Sequence, residues 1–322
     1  MNVLKSKSRL ILTIGDPNGI GPEIILKIFN DKFFSSKFDL TVAGSKKILD
    51  RYSSSLNFPK IPPDKIIEIP SAKGFSIKPG KIDKTAGKIS GDAIKMAVSL
   101  CLKKEFAGMI TLPISKESLN LGGYNYPGHT ELLNELTFSE NTVMILYSQK
   151  FSVALVTGHI PLLKVSKKIK HDLLIRKIIS VNNSLVKDFK INNPKIAVLA
   201  LNPHAGDGGL LGSEEQTIIN PVIEEMNSLG FNLRGAFAAD AFFANKSYEK
   251  FDITIALYHD QGLIPFKMIS FDKGVNFTAG LNIIRTSPDH GTAFDIAGLG
   301  KAKPESTMQA ILLANKLAVG SR

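Results

Sequence analysis

The run Arg9 to Ile14 is short, apolar and β-branched, and it stops at Gly15-Asp16-Pro17-Asn18-Gly19-Ile20-Gly21-Pro22-Glu23 before Ile24, Ile25 and Ile28 take up helical spacing. Pro22 suits a first helical position and the glycines allow a tight turn, so the stretch reads as strand, loop and helix. The pattern recurs at Leu40 to Ala43 before Ser45 to Arg51, and at Gly108 to Thr111 before Pro113-Ile114-Ser115-Lys116. It recurs again at Ile196 to Leu201 before a helix capped by Ser213 over Glu215 to Leu229, and at Ile253 to Leu257. Strands alternating with helices through both halves of a chain specify an α/β fold with a largely parallel sheet. Loops at the carboxyl ends of such strands bind ligands, so Asp16 and Asn18 either face a cleft or only build the turn.

At 322 residues the chain exceeds the usual single-domain size, and two α/β domains are expected. Thr142 to Tyr147 and Phe151 to Thr157, separated by Ser148-Gln149-Lys150, read as a hairpin, which marks a second domain or an arm for dimer contacts. Hydrophobic residues at 43% and charged residues at 21% exclude extensive disorder. Ser53 to Pro79, with only Ile66 to Ile69 strand-like, reads as variable surface. Gly80 to Gly91 is turn-rich, and Asp92 to Lys104 follows as an amphipathic helix. The single cysteine, Cys101, shares that helix's apolar face with Ile94, Ala97 and Val98, which makes it a small buried hydrophobe and excludes an internal disulfide.

The formal charge of +11 is spread along the chain, with short clusters at Lys5 to Arg9 and Lys164 to Lys170. A nucleic-acid partner would call for the cations on one face, so none is expected; the positive field instead favours anionic small substrates by steering. The apolar run Leu10 to Ile14 is too short for a signal peptide, and no run reaches membrane-spanning length. A cytoplasmic protein with no membrane partner is expected.

Of six histidines, His129, His159, His204 and His259 sit in Gly- or Pro-bearing stretches that read as loops. The last three each follow an apolar strand: Val153 to Val156, Ile196 to Leu201 and Ile253 to Leu257. In a parallel sheet those strand ends share an edge, where three imidazoles either meet as ligands of a divalent metal or serve as separate hydrogen-bonders. After Leu257 the chain places Tyr258, His259, Asp260, Gln261, Lys267, Asn276 and Arg285 close together, spaced by apolar runs that read as strands. That density marks a site rather than a core. Gly206 to Gly212 does not fit Gly-x-Gly-x-x-Gly, and a Walker loop is absent.

Gly15 to Glu23, Gly128-His129-Thr130-Glu131, Asn202-Pro203-His204-Ala205-Gly206-Asp207-Gly208-Gly209, Tyr258-His259-Asp260-Gln261-Gly262 and Gly274-Val275-Asn276 together resemble the 4-hydroxythreonine-4-phosphate dehydrogenase family of vitamin B6 biosynthesis. The resemblance spans nearly the whole chain, in the family's order. It implies two α/β/α domains with a cleft between them, isocitrate/isopropylmalate dehydrogenase-like, formed by residues 1–127 with 282–322 and by residues 128–281. It implies NAD(P)-dependent oxidation of 4-phosphooxy-L-threonine to 2-amino-3-oxo-4-phosphooxybutanoate, which decarboxylates to 3-amino-2-oxopropyl phosphate. It also implies a homodimer with one divalent metal (zinc, magnesium or cobalt) per site near the interface. The metal ligands carry over to His159, His204 and His259, at least one of them from the partner subunit, and the substrate contacts to His129, Thr130, Lys267, Asn276 and Arg285. Asp240 falls on a further active-site carboxylate. Arg285 offers a planar fork and Lys267 a point charge to a phosphate or carboxylate. The hydroxyl proton goes to His129, Asp240, Asp260 or Lys267, among which the sequence does not choose.

Asp289-His290-Gly291-Thr292-Ala293-Phe294-Asp295-Ile296-Ala297-Gly298 is similar to the adenosine-binding loop of isopropylmalate and isocitrate dehydrogenases. The similarity implies that His290, Gly291 and Thr292 hold the adenine side and that Asp295 bonds the ribose hydroxyls. A carboxylate there repels a 2′-phosphate, so NAD is expected over NADP. Read alone, the same stretch is a helix start capped by Thr292. Two further functions stand beside the first: a same-family dehydrogenase of threonate or erythronate 4-phosphate, and a metal-dependent hydrolase or acyl-phosphate transferase working without a nicotinamide.

Overall fold

A computed structural model describes residues 7–72, 74–270 and 273–320. The chain divides into two compact units, one running up to Ser139 and resuming at Leu281, the other Glu140–Gly280. Both are α/β, as the alternation of strands and helices predicts.

The first unit contains β1 (Arg9–Thr13), α1 (Gly21–Asn30), α2 (Lys32–Lys37), β2 (Asp39–Gly44), α3 (Lys46–Leu56), β3 (Ile66–Glu68), α4 (Lys84–Leu102), β4 (Gly108–Thr111), α5 (Lys116–Leu121) and α6 (His129–Thr137). After the second unit it resumes with β11 (Arg285–Pro288) and α12 (Glu305–Gly320). Its strands run parallel in the order β3-β2-β1-β4-β11. Leu10 to Thr13 on β1 and all of β4 are buried without alternation. Such strands need cover on both faces, and α4 and α12 are among the helices that pack on them. Helix α6 belongs here by packing against α4 and by a hydrogen bond from Asn282 Nδ2 to the Thr137 carbonyl at 2.9 Å.

Helix α4 starts at Lys84, eight residues before the expected Asp92. Asp83 caps it, accepting from the N–H groups of Thr85 and Ala86 at 2.8 and 3.1 Å. Its glycines are close-approach positions rather than turns. A Cβ on Gly87 would lie 1.7 Å from the Ser118 carbonyl oxygen, and one on Gly91 would lie 2.1 Å from the Tyr124 ring. Cys101 is buried on this helix, as its spacing predicts.

The second unit contains β5 (Val143–Tyr147), β6 (Ser152–Leu155), α7 (Val165–Lys168), α8 (His171–Lys187), β7 (Lys195–Leu199), α9 (Asn220–Ser228), β8 (Asn232–Phe237), α10 (Ala239–Ala244), β9 (Ile253–Ala256), α11 (His259–Ser270) and β10 (Val275–Ala279). The order is β10-β5-β6-β9-β7-β8. β5 runs antiparallel to β10 and to β6, giving the expected hairpin, and β6, β9, β7 and β8 are parallel. Leu146, Phe151, Val153, Leu155, Leu199, Phe242 and Phe266 close the core, each contributing roughly 1.5–3 kcal/mol by burial.

Two expectations fail here. The run after His259 is helix α11, not strand: Gln261, Gly262, Phe266 and Ser270 are buried at helical spacing, and Pro265 stands inside it without donating a bond to the Gln261 carbonyl. The helix expected from Glu215 with a Ser213 cap opens instead as a π turn over Glu215–Ile219, with no side-chain cap, before α9.

Candidate active site

β6, β9 and β7 are neighbouring parallel strands, so His159, His259 and His204 follow strand ends on one edge. The ring centres of His159 and His259 are 5.6 Å apart. His259 is the first residue of α11 rather than a loop residue, and its Nδ1 lies 2.7 Å from Asp260 Oδ1. A carboxylate on one ring nitrogen fixes the tautomer and turns the other nitrogen toward a ligand. His204 lies on a separate turn, and among the described residues no three His, Cys, Asp or Glu side chains gather within reach of one ion.

The strand ends themselves are tied together. Thr157 Oγ1 donates to the Leu257 carbonyl at 2.6 Å, the Leu257 N–H donates to Gln261 Oε1 at 2.7 Å, and Gln261 Nε2 donates to the Ala200 carbonyl at 2.6 Å. The Gln261 amide offers an acceptor and a donor on separate atoms, and this buried bridge uses both. Sequence reading missed the roles of Thr157 and Gln261, since the bonds from Thr157 to Leu257 and from Gln261 to Ala200 reach main-chain groups distant in the chain.

Lys267 stands exposed in the last turn of α11, and Asp240 is exposed in the first turn of α10. Asn276 lies on β10 opposite Leu146, partly buried.

The first unit holds the other expected contacts. Arg285 opens β11 with 3% of its surface exposed, and its Nε and Nη2 donate to Thr111 Oγ1 at 3.0 and 2.7 Å. Burial pulls the guanidinium down to about 10, which leaves it a cation at neutral pH. His129 begins α6, again a helix start rather than a loop, with Thr130 beside it. The residue keeps some exposed surface, yet its Nε2 is enclosed with no hydrogen-bond partner among the described residues. Burial first, then the charges of Arg285 and Lys116, holds this imidazole well below its ordinary range, so it is neutral. A fixed cation, a neutral imidazole and Lys116 at the start of α5 make a receptor for an anion. Thr111 and Lys116 carry no signal in the sequence that would mark them as part of it.

The loop at His290 to Asp295 is pinned by the Gly-rich segment after β1. The Ile20 N–H donates to the Thr292 carbonyl at 3.1 Å, and a Cβ on Gly19 would sit 3.1 Å from the same oxygen. Glu23, fully buried, accepts from the N–H groups of Gly300 and Ala302 at 3.1 and 2.6 Å, while Lys27 Nζ bridges Glu23 to both carbonyls. His290 Nε2 is enclosed without a hydrogen-bond partner among the described residues, next to Gly291, and Asp295 is exposed. Asn18 proves to be a turn builder: it donates to the Lys81 carbonyl at 2.9 Å and accepts from the Lys78 N–H at 2.8 Å. Asp16 is likewise buried, and desolvation pushes its carboxyl up to about 6 against the opposing hydrogen bond from the Asn18 N–H.

A family model described as Pyridoxal phosphate biosynthetic protein PdxA matches residues 36–314. The 4-hydroxythreonine-4-phosphate dehydrogenase of Prosthecochloris aestuarii is 42% identical over 325 residues, covering 95% of this chain and 96% of that protein. The D-threonate 4-phosphate dehydrogenase of Salmonella typhimurium is 38% identical, covering 95% of this chain and 98% of that protein. A crystal structure of 4-hydroxythreonine-4-phosphate dehydrogenase from Klebsiella pneumoniae superimposes with a TM-score of 0.90 at 36% identity, covering 97% of this chain and 98% of that one.

Proposed function

The chain belongs to the pyridoxal phosphate biosynthetic protein PdxA family, and from that premise we propose that it oxidises 4-phosphooxy-L-threonine with NAD. The observation that carries this reading is the buried Arg285 guanidinium beside the neutral, enclosed His129, which suits a phosphate or carboxylate. Thr130 adds a hydroxyl donor, and Lys267 and Asn276 supply further donors. The adenosine end of the cofactor lies on His290, Gly291, Thr292 and Asp295, whose exposed carboxylate disfavours NADP.

A nicotinamide held there would accept the C3 hydrogen with its bonding pair, while Lys267 or Asp240 takes the hydroxyl proton and the oxygen lone pair closes the carbonyl. The β-keto acid then breaks its C1–C2 bond, carbon dioxide departs, and a proton takes up the pair left on C2. The product is 3-amino-2-oxopropyl phosphate. His159 and His259 fit a divalent ion, since two imidazoles 5.6 Å apart with one turned by a carboxylate form a suitable donor pair; His204, on a separate turn, would complete the set with at least one of the three histidines supplied by the partner subunit. Zinc, magnesium or cobalt bound there would lower the pKa of the substrate hydroxyl and offset the charge developed during decarboxylation. Asp260 orients His259.

The protein acts as a homodimer with this site near the interface. Leu162, Leu163 and Leu210, which follow His159 or His204 by three to six residues, expose 72, 89 and 83% of their surface and would be covered in such an interface. Light scattering of the purified protein at twice the chain mass is the expected result.

The D-threonate 4-phosphate relative supports a second reading, in which the substrate carries a hydroxyl in place of the C2 ammonium. Purified protein is assayed with each phosphate and with NAD or NADP, following reduced nicotinamide. Turnover of the amino acid phosphate with NAD is expected. Turnover of only the sugar acid removes the B6 role, and product release with no reduced nicotinamide points to a hydrolase or acyl-phosphate transferase. A preference for NADP overturns the role of Asp295.

A further inference from the structure

Residues His204, Ala205, Gly206, Asp207 and Gly208 are consecutively left-handed, with φ of 51, 54, 81, 43 and 64°. For the three that are not glycine this costs roughly 1–2 kcal/mol each, so the turn needs something to hold it. Glu215 stands at its base with 1% of its surface exposed. Its Oε1 accepts from the Leu201 and Asn202 N–H groups at 2.7 and 2.9 Å, and its Oε2 accepts from Asn202 Nδ2 at 2.9 Å. Three donors replace the water that a buried carboxylate loses. The surroundings are fitted to this group: a Cβ on Gly206 would lie 2.8 Å from Glu215 Oε2, and one on Gly212 would lie 2.4 Å from Asn202 Nδ2. Glu215 also opens the π turn before α9, a helical irregularity frequent at functional sites.

We propose that Glu215 is a positioning residue for His204, tying the end of β7 to the start of the left-handed turn and so aiming the imidazole. This rests on the reading of His204 as a metal ligand. The charge matters because both oxygens face donors. A glutamine in either orientation sets an NH2 group against an N–H or against Asn202 Nδ2.

Cobalt(II) alone is titrated into the full-length protein and followed by its visible absorption, with amide hydrogen exchange measured in parallel. Glu215→Gln is expected to weaken cobalt binding by about tenfold or more, the usual loss when a group orienting a ligand is removed, and to speed exchange over residues 201–212 while the β7 core stays protected. His204→Ala is expected to weaken binding without changing that exchange. Asn202→Ser, which removes one donor and leaves the core untouched, shifts both readouts in the same direction by less and serves if Glu215→Gln does not fold. Unchanged affinity in Glu215→Gln while His204→Ala binds weakly overturns the positioning role alone. Unchanged affinity in His204→Ala overturns the ligand reading instead, and unchanged exchange in Glu215→Gln overturns the hold on the turn.

Discussion

His129 and His259 each begin a helix, yet the two units treat them in opposite ways. In the first unit Nε2 of His129 is enclosed, its charged neighbours are Arg285 and Lys116, and it is held neutral. In the second unit His259 stays partly exposed with Asp260 at 2.7 Å. One imidazole is thereby suited to an anion and the other to a cation. The residue type does not decide the role; the sign of the nearest fixed charge and the access of water do. Carboxylates do not divide the units in the same way, because Asp16 and Glu23 are buried in the first and Glu215 in the second, whereas Asp240 and Asp260 of the second are exposed.

Removing the enclosed cation breaks the comparison most severely. Arg285→Met keeps the bulk but takes away the charge, and kcat/KM for the phosphorylated substrate is expected to fall by roughly a thousandfold, the scale of a lost buried charge partner at 3–5 kcal/mol. Cobalt affinity should not change, and a loss in both would show that the two regions do not have separate roles. Asp16→Asn tests whether enclosing a charge is costly in this unit. Its folded pKa near 6 lies above the ordinary value of 3.8, so the native state binds the extra proton and stability falls as pH rises from about 4 to about 6. The variant, which keeps the acceptor for the Asn18 N–H, is expected to gain up to about 3 kcal/mol in urea unfolding at pH 8 and nothing below pH 4. A gain independent of pH would assign the effect to packing.

On the other side of the comparison, Asp260→Asn should weaken cobalt binding by about 10–100-fold and leave the KM for the nicotinamide at saturating phosphorylated substrate unaltered; wild-type affinity would detach Asp260 from the histidine's role. The smallest expected change is none at all. The His129 ring resonances should not titrate between pH 5.5 and 8, whereas an unperturbed imidazole passes its midpoint near 6.5 in that window.

The strands, their parallel sense and the shared edge of His159, His204 and His259 were legible because local apolar runs and their breaks encode them. Arg285 enters the candidate site only through the family resemblance, and nothing in the sequence signals its burial or its bond to Thr111. What escaped depends on partners far along the chain. Gly87 and Gly91 look like turn residues until Ser118 and Tyr124 are packed against them, and the sequence alone therefore places the start of α4 too late. Gln261 and Glu215 bond to main-chain groups at Ala200, Leu201 and Asn202, and an amide or carboxylate reads as ordinary surface when those strands are absent. The left-handed turn at His204 was hidden because only two of its five residues are glycines.

The bonded bridge from Thr157 through Leu257 and Gln261 to Ala200 sets how far this enzyme's sequence can drift. The histidines follow their strands by only three to five residues, and the bridge fixes the point from which each interval is counted. One residue inserted between Ala256 and His259, or between Leu199 and His204, would carry its imidazole off by about 3.3 Å along the chain and break a bond of the bridge or the turn. Within Ser53 to Pro79, β3 and the Lys78 N–H that bonds Asn18 are held, but the turns beside them carry none of the histidine intervals. Length variation among related chains should therefore collect in that stretch and be absent from these short intervals.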